Sequence, residues 1–133
     1  MKILISADWH LGKKLHLEDF SQDMEQFLQW LLQHIEENEI DLLLVAGDVF
    51  DQNNPSNEAT KQYYDFLMKL HQTGCKAIIT SGNHDSASFL DTPSSLLQSL
   101  GIRVVGRFPG MDRLDQVLLP LKDRSGNSEV VVA

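Results

Sequence analysis

Residues 41–51 have the sequence DLLLVAGDVFD, in which an unbroken apolar run ends at a glycine followed by two aspartates. A run that is apolar throughout, rather than alternating, is typical of a strand in a parallel sheet covered on both faces. We therefore predict a buried strand over residues 41–46, with Asp48 and Asp51 in the loop at its carboxyl end.

Two more segments are built in the same way. Residues 2–7 (KILISA) lead into DWH at residues 8–10, and residues 76–80 (KAIIT) lead into GNHD at residues 82–85. A fourth apolar segment, Ile102–Val105, has no such motif after it. The sequence thus predicts four strands, three of which end in acidic, amide or histidine side chains.

Amphipathic helices are predicted between these strands. A helix over residues 21–38 would have Ser21 as its amino-terminal cap, and a helix over 57–72 would follow Pro55-Ser56 and stop at Gly74. A shorter third helix is predicted over 92–100. The alternation predicts an α/β fold with a mainly parallel sheet. The apolar stripes are Met24, Phe27, Leu28, Leu31 and Ile35 in the first helix, and Tyr63, Phe66, Leu67 and Leu70 in the second.

Residues 106–133 follow a different pattern. We predict a loop over 106–113, a short strand over 116–119, a polar turn over 122–128 and a strand over 130–133 that the end of the chain interrupts. We therefore expect residues 1–133 to be the amino-terminal part of a longer domain.

Composition and charge limit the classes of function. The formal net charge of −8 opposes nucleic-acid binding by phosphate neutralisation alone, although two bound divalent cations would return about +4 at one place. Cys75 is the single cysteine, which excludes an intrachain disulfide, and we predict it as a small buried side chain. Without a long apolar segment or a signal peptide, a cytoplasmic location is expected.

The three motifs are expected to meet in space. In an open α/β sheet ligands bind outside the carboxyl ends of the strands, and all three motifs follow strands. Their carboxylate, imidazole and amide groups suit Mn²⁺, Fe²⁺ or Zn²⁺. Gly47 and Gly82 would allow the loop backbones to approach closely. The sequence therefore predicts a divalent-metal site with phosphoesterase chemistry.

Each motif alone has a simpler explanation. A Gly-Asp pair after a strand is often only a turn, and GNHD also fits a turn in which Asp85 caps a helix. The ordered set of three favours the metal site. The remaining candidates are expected to be structural: Trp9, Phe50 and Phe89 in the core, His34 and His71 on helix surfaces, and His16, Lys13 and Lys14 in a loop whose lysines are either solvated or in contact with a DNA backbone.

The motifs DWH, GDVFD and GNHD resemble those of the calcineurin-like metallophosphoesterase superfamily. More narrowly, ADWHLGKKLH, VAGDVFDQNNPSNEA and QTGCKAIITSGNHDSASFL are similar to the SbcD family, the nuclease subunits of SbcCD complexes and counterparts of the Mre-type repair nucleases. The resemblance covers most of residues 1–105. It implies a four-layer α/β/β/α sandwich, of which this chain would supply the first sheet, its helices and the start of the second sheet.

The resemblance also implies roles for individual residues. Asp8 and His10 would bind one metal, Asp48 would bridge two, and Asn83 would bind the second. His84 would face the scissile phosphate as the catalytic histidine. Asp85 would orient it. Apart from the resemblance, we expect Asp51 to support the site or to cap a turn rather than to bind metal. The family's preferred metal is Mn²⁺, and its activities are 3′→5′ double-strand exonuclease and single-strand endonuclease. Its members dimerise and act with an SMC-class ATPase partner, SbcC, in DNA repair and recombination.

One departure from the family pattern is serious. A further histidine and a Gly-His-x-His pair, which complete both metal sites in the family, are absent from these residues. We therefore expect this chain alone to have weak activity or none. Two other hypotheses remain: a calcineurin-like enzyme for a small nucleotide or a phosphoprotein, and a non-catalytic assembly module.

Overall fold

The computed structural model describes residues 1–122 and 125–132, and a four-stranded parallel sheet lies at its centre. In chain order the elements are β1 (Ile3–Ser6), β2 (Lys14–Leu15), β3 (Glu18–Asp19), α1 (Ser21–Glu37), β4 (Leu42–Ala46), α2 (Asn57–Thr73), β5 (Lys76–Thr80), α3 (Ala87–Asp91), α4 (Ser94–Ser99), β6 (Ile102–Val105), a 3₁₀ helix (Met111–Gln116), β7 (Leu119–Lys122) and β8 (Ser128–Val132).

The central sheet has the order β1-β4-β5-β6, and every neighbouring pair is parallel. Ile3 is in register with Leu42, and Leu42 with Lys76, so the strands begin nearly level. Their carboxyl ends consequently lie along one edge of the sheet. The predicted α/β class, the four strands and their parallel pairing are confirmed.

Most of the core lies on one face of this sheet. The buried sheet residues Leu43, Val45 and Ile79 pack there against α1 and α2. The predicted apolar stripes are confirmed: Leu28, Leu31 and Ile35 of α1 and Tyr63, Phe66, Leu67 and Leu70 of α2 are buried, with Met24 and Phe27 packed beside them. The opposite face has a smaller cluster of Leu42, Ile78 and Leu121.

Two helix predictions require correction. Ser21 is the first residue of α1 rather than its cap, because Phe20 holds the cap position without a side-chain hydrogen bond. The helix predicted over 92–100 is shorter, α4 (Ser94–Ser99), and the separate short helix α3 (Ala87–Asp91) before it was not predicted. Proline has no N–H to donate, so α3 does not continue through Pro93 into α4. By contrast, left-handed Gly74 ends α2, as predicted, and Ser56, which was expected only to precede the helix, caps it.

The tail also differs from the prediction. Residues 116–119 are not a strand, because a 3₁₀ helix ends at Gln116 and β7 begins only at Leu119. β8 covers Ser128–Val132 and pairs with β7 in an antiparallel ladder, whereas Ala133 lies outside the described residues. The small β2–β3 hairpin was not predicted. No helix in the described part of the chain is long and apolar enough to cross a membrane.

Candidate metal centre

The loops that follow β1 and β4 run side by side beyond the ends of their strands. Backbone N–H groups of Asp8 and His10 donate to the carbonyls of Gly47 and Asp48, at 3.2 and 3.0 Å. Leu11 and Phe50 then form a parallel bridge. The first two motifs are therefore held together by the backbone, independently of any side chain.

Three expected metal ligands have left-handed backbone conformations, with φ of 55° at Asp8, 48° at His10 and 49° at Asp48. Non-glycine residues rarely adopt this region, and such strain concentrates at functional sites. Asp8 and His10 therefore lie on a tight turn after β1. Along this turn Trp9 and Leu11 are buried while Asp8 is exposed.

This turn brings the side chains of Asp8, His10 and Asp48 together. One ligand atom from each lies within 4.8 Å of the others. Two carboxylates and an imidazole are a donor set for a divalent transition metal. The Nδ1 atom of His10 is buried and has no hydrogen-bond partner among the described residues. A bound cation would satisfy the unpaired nitrogen of His10 and the carboxylate oxygens beside it. The three residues therefore fit a divalent metal.

The third motif touches the second through glycine backbone. A Cβ at Gly47 would lie 3.0 Å from Gly82 Cα, and a Cβ at Gly82 would collide with the carboxylate and the backbone nitrogen of Asp48. The predicted close approach of the two loops is therefore confirmed. Only glycine at position 82 leaves room for the Asp48 carboxylate.

Asp85 is 7% exposed and connects the loops that follow β4 and β5. Its oxygens accept hydrogen bonds from the backbone N–H groups of Phe50, Gly82 and Val49, at 2.8, 2.8 and 3.1 Å. The alternative that Asp85 caps the following helix is wrong, because Ser86 caps α3. The carboxylate thus supports the loops that carry Asp48 and His84.

His84 is exposed and is fixed at two points. Its backbone N–H donates to Asp48 Oδ1 at 3.0 Å, and its Nδ1 lies 3.1 Å from the carbonyl oxygen of Asp51. The contact that orients the ring is therefore this carbonyl, and the carboxylate of Asp85 bonds to backbone instead. The ring packs edge-to-face with His10, with centroids 5.1 Å apart.

Asp51 is more central than the sequence indicated. Its Oδ1 lies 3.3 Å from His10 Nδ1, and ligand atoms of Asp51, His10 and His84 all lie within 4.8 Å of one another. Only its position three residues after Asp48 pointed to it. Asn83, in turn, is exposed and directly precedes His84 at the same edge of the sheet.

Sequence reasoning did not identify Asn53. In the orientation that satisfies its hydrogen bonds, its amide nitrogen lies 2.8 Å from the carbonyl oxygen of His84 and 3.0 Å from that of Asp85. It therefore braces the third motif from the loop of the second. No local pattern distinguishes this asparagine from its neighbour Asn54.

The other candidates have the structural roles that were expected of them. Trp9 and Phe50 are in the core, where the Trp9 indole donates to Ser6 Oγ at 2.8 Å and Phe89 packs edge-to-face on Phe50. Cys75 is buried. The remaining histidines are away from the cluster: His34 stacks on Trp30 in α1, His71 contacts the Leu100 carbonyl, and His16 is exposed between β2 and β3.

Below the loops, Tyr63 lies in an apolar environment. Burial raises the pKa of this phenol far above its usual range, with smaller contributions from Tyr64 and the charge of Asp85. Its hydroxyl is buried without a hydrogen-bond partner among the described residues. Tyr63 also packs edge-to-face on Phe50, next to the second motif.

Comparison with known proteins gives a consistent result. A family model described as calcineurin-like phosphoesterase matches residues 1–130. A protein of Rhodobacter capsulatus, named as a subunit of the nuclease SbcCD, is 41% identical over 131 residues, which is 95% of this chain and 32% of that protein. Proteins with the same name from Escherichia coli and Bacillus subtilis are 37% and 36% identical, covering 79% and 80% of this chain. The chain spans about a third or less of the length of these relatives.

Proposed function

The chain belongs to the calcineurin-like phosphoesterase family, and from this membership we propose that it is the amino-terminal part of a metal-dependent DNA nuclease of the SbcD type. The observation that carries the proposal is the convergence of Asp8, His10 and Asp48 on left-handed turns at the carboxyl edge of the sheet. The names of the relatives support the substrate class, since each is called a nuclease.

In this proposal Asp8, His10, Asp48 and Asn83 hold two divalent cations, with Mn²⁺ as the preferred ion. The remaining ligands belong to parts of the domain outside residues 1–133. Mixed carboxylate, imidazole and amide donors support a first-row divalent metal over a site for softer ions. When bound, the cations supply Lewis acidity toward the phosphate and activate the attacking water.

His84 acts on the substrate as the catalytic histidine. Its Nδ1 is engaged by the carbonyl of Asp51, which favours the tautomer with the proton on Nδ1 and leaves Nε2 free. The His84 side chain is exposed, so the free nitrogen can contact a phosphate oxygen or exchange a proton with it. Asp85 is a positioning residue, because it acts through the loops that carry Asp48 and His84.

The test uses the whole protein that contains this chain. In Mn²⁺ we expect nucleotide release from linear duplex DNA and cleavage of single strands, and Asp48→Asn should lower both rates roughly 100-fold or more. Asp23→Asn, on the surface of α1, is the matched control and should keep full activity. If a small phosphodiester or a phosphoprotein is hydrolysed faster than DNA, the alternative of a calcineurin-like enzyme with another substrate is correct.

The partner of this nuclease is an SMC-class ATPase of the SbcC type, and the nuclease itself forms a homodimer in the cytoplasm. Support for the ATPase comes from the relatives, which are named as subunits of an SbcCD nuclease. Co-purification of the whole protein with the ATPase encoded in the same cell, followed by measurement of the mass of the complex, tests both associations. A nuclease that stays monomeric and alone contradicts them.

A further inference from the structure

The cluster of His10, Asp51 and His84 overlaps the Asp8–His10–Asp48 triad at His10. Because both groups use the His10 ring, they are alternative sites for a cation. In the proposed function His84 contacts the phosphate and Asp51 supports the site, so neither is a metal ligand there. The geometry points to a different use of these two residues. We propose that His10, Asp51 and His84 form a second cation site, which prefers Zn²⁺ to Mn²⁺.

The ligand atoms of His10 and Asp51 lie close together. Their Nδ1 and Oδ1 atoms are 3.3 Å apart, yet Nδ1 has no hydrogen-bond partner in the part of the chain that the structure describes, so the contact is not a simple hydrogen-bonded pair. Two ligand atoms at zinc–ligand distances of about 2.0–2.1 Å in a tetrahedral site are also roughly 3.3 Å apart. The two atoms are therefore already spaced as neighbouring ligands of one tetrahedral cation.

The His84 ring is oriented by the backbone carbonyl of Asp51. Histidines that bind metals usually donate their other ring N–H to a carbonyl or a carboxylate, which fixes the tautomer. The Nδ1 atom of His84 meets the carbonyl oxygen of Asp51 at 3.1 Å, so Nε2 has the free lone pair that a metal requires. Asp51 thus serves the site twice, through its carboxylate and through its backbone carbonyl.

The ligand types of the two sites suit different metals. Two imidazoles and one carboxylate, with a position left for water, are the ligand set of many zinc centres. The Asp8–His10–Asp48 triad has two carboxylates and one imidazole, which is a harder set that suits Mn²⁺ better. A zinc ion would bind the His84 nitrogen that contacts the phosphate in the proposed function. The inference rests on the proposed function for this role of His84.

Histidine-selective ¹⁵N NMR of the chain tests the site directly. The chain has five histidines, so His16, His34 and His71 serve as internal controls. During a Zn²⁺ titration we expect the ring nitrogens of His10 and His84 to shift together with one midpoint. His84→Gln assigns the His84 signals. Asp51→Asn should raise the zinc concentration at the midpoint roughly tenfold or more, whereas Asp8→Asn should leave the joint shift in place.

The outcomes separate this inference from the proposed function. If His10 shifts while His84 does not, the second site does not exist, and the metal centre of the proposed function remains. If neither ring shifts with Zn²⁺, the second site does not exist, and the nuclease assay of the whole protein tests the proposed function separately. If Asp8→Asn abolishes the zinc response while Asp51→Asn leaves it unchanged, the zinc lies in the Asp8 triad and the inference is wrong.

Discussion

At the scale of single residues, the candidate metal centre depends on backbone conformations that only a few residue types tolerate. Asp8 and Asp48 have φ near 50°, in the left-handed region. Holding a residue there costs on the order of 1 kcal/mol, less for aspartate than for most others. The chain therefore gives up some stability of the folded state in order to aim these carboxylates at one point.

Replacing Asp8 tests this cost. In the presence of a chelator, Asp8→Gly should raise the free energy of unfolding by about 0.5–1 kcal/mol, because glycine adopts positive φ without strain. Asp8→Ala should lower it, because Ala keeps the strain and has no local polar group. Urea denaturation measures both. Asp23→Gly is the control: it lies in the first turn of α1, where glycine destabilises. If Asp8→Gly and Asp23→Gly change the free energy of unfolding equally, the backbone of Asp8 is not strained.

Tyr63 supports a second residue-scale prediction. Its hydroxyl is buried and unpaired among the described residues, so Tyr63→Phe should raise the free energy of unfolding by roughly 1 kcal/mol at neutral pH. The raised pKa gives a pH dependence as well. Below about pH 10 both the folded and the unfolded forms keep the phenol neutral.

Above that pH the unfolded chain loses the proton while the folded chain keeps it, so the wild-type protein loses stability as the pH rises. Urea denaturation between pH 8 and pH 11 should show this loss, and the advantage of Tyr63→Phe over the wild type should grow with pH. A constant difference between the two proteins would show that Tyr63 ionises equally in both states.

At the scale of elements, the sequence predicts what periodicity and terminal residues determine. The apolar stripes of α1 and α2 and the Gly74 stop follow from residues within or directly beside one helix. Ser21 was misassigned because a serine before an apolar run fits both the cap and the first helical position. The β2–β3 hairpin has two residues in each strand, too few to produce a pattern.

The metal centre follows the same division. The proximity of Asp8, His10 and Asp48 could be predicted because each follows a strand of the parallel sheet. The contributions of Asn53 and of the Asp51 carbonyl were not, because they arise from contacts between loops more than thirty residues apart in the chain. Such contacts depend on how the loops pack, which no local pattern encodes.

The two serines give a direct test at this scale. Ser56→Ala should lower the free energy of unfolding by about 1 kcal/mol, because Ser56 Oγ accepts the Ala59 N–H at the start of α2. Ser21→Ala should change it little, because the side chain of Ser21 makes no capping bond in α1. Thermal denaturation of both variants decides. A larger loss at Ser21 than at Ser56 would reverse the assignment of the caps.

Asp85 links the loops after β4 and β5. Asp85→Asn replaces one accepting oxygen by an NH₂ group, which leaves at least one of three N–H donors without an acceptor. We expect a loss of about 1–3 kcal/mol in the free energy of unfolding and weaker Mn²⁺ binding, measured by denaturation and by calorimetry. Asp91 is a useful comparison, because it accepts the Gly106 N–H away from the candidate metal centre.

Asp91→Asn should therefore cost less stability than Asp85→Asn and should leave Mn²⁺ binding unchanged. If Asp85→Asn destabilises the chain but keeps full metal affinity, then Asp85 supports the fold alone and has no positioning role at the metal centre.

At the scale of the whole molecule, the two faces of the sheet are unequally covered. The helical face contains most of the buried core, whereas the other face has a small cluster and an open apolar groove of about 340 Å³ beside Leu44, Ile78 and Phe108. On β1 of this sheet, Ile5 is 67% exposed. Exposed apolar surface of this kind promotes association, because contact between two copies removes it from water.

We therefore expect the chain to self-associate, so that its weight-average sedimentation coefficient rises with concentration. Ile5→Thr, which keeps a β-branched side chain in β1 but makes it polar, should reduce that rise. Leu17→Thr is the control: Leu17 is fully exposed, but it lies on the turn between β2 and β3 and not on this sheet. The two substitutions remove apolar side chains from different surfaces. Equal effects of Ile5→Thr and Leu17→Thr would therefore show that general hydrophobicity drives the association. A sedimentation coefficient independent of concentration would show that the sheet face does not associate at all.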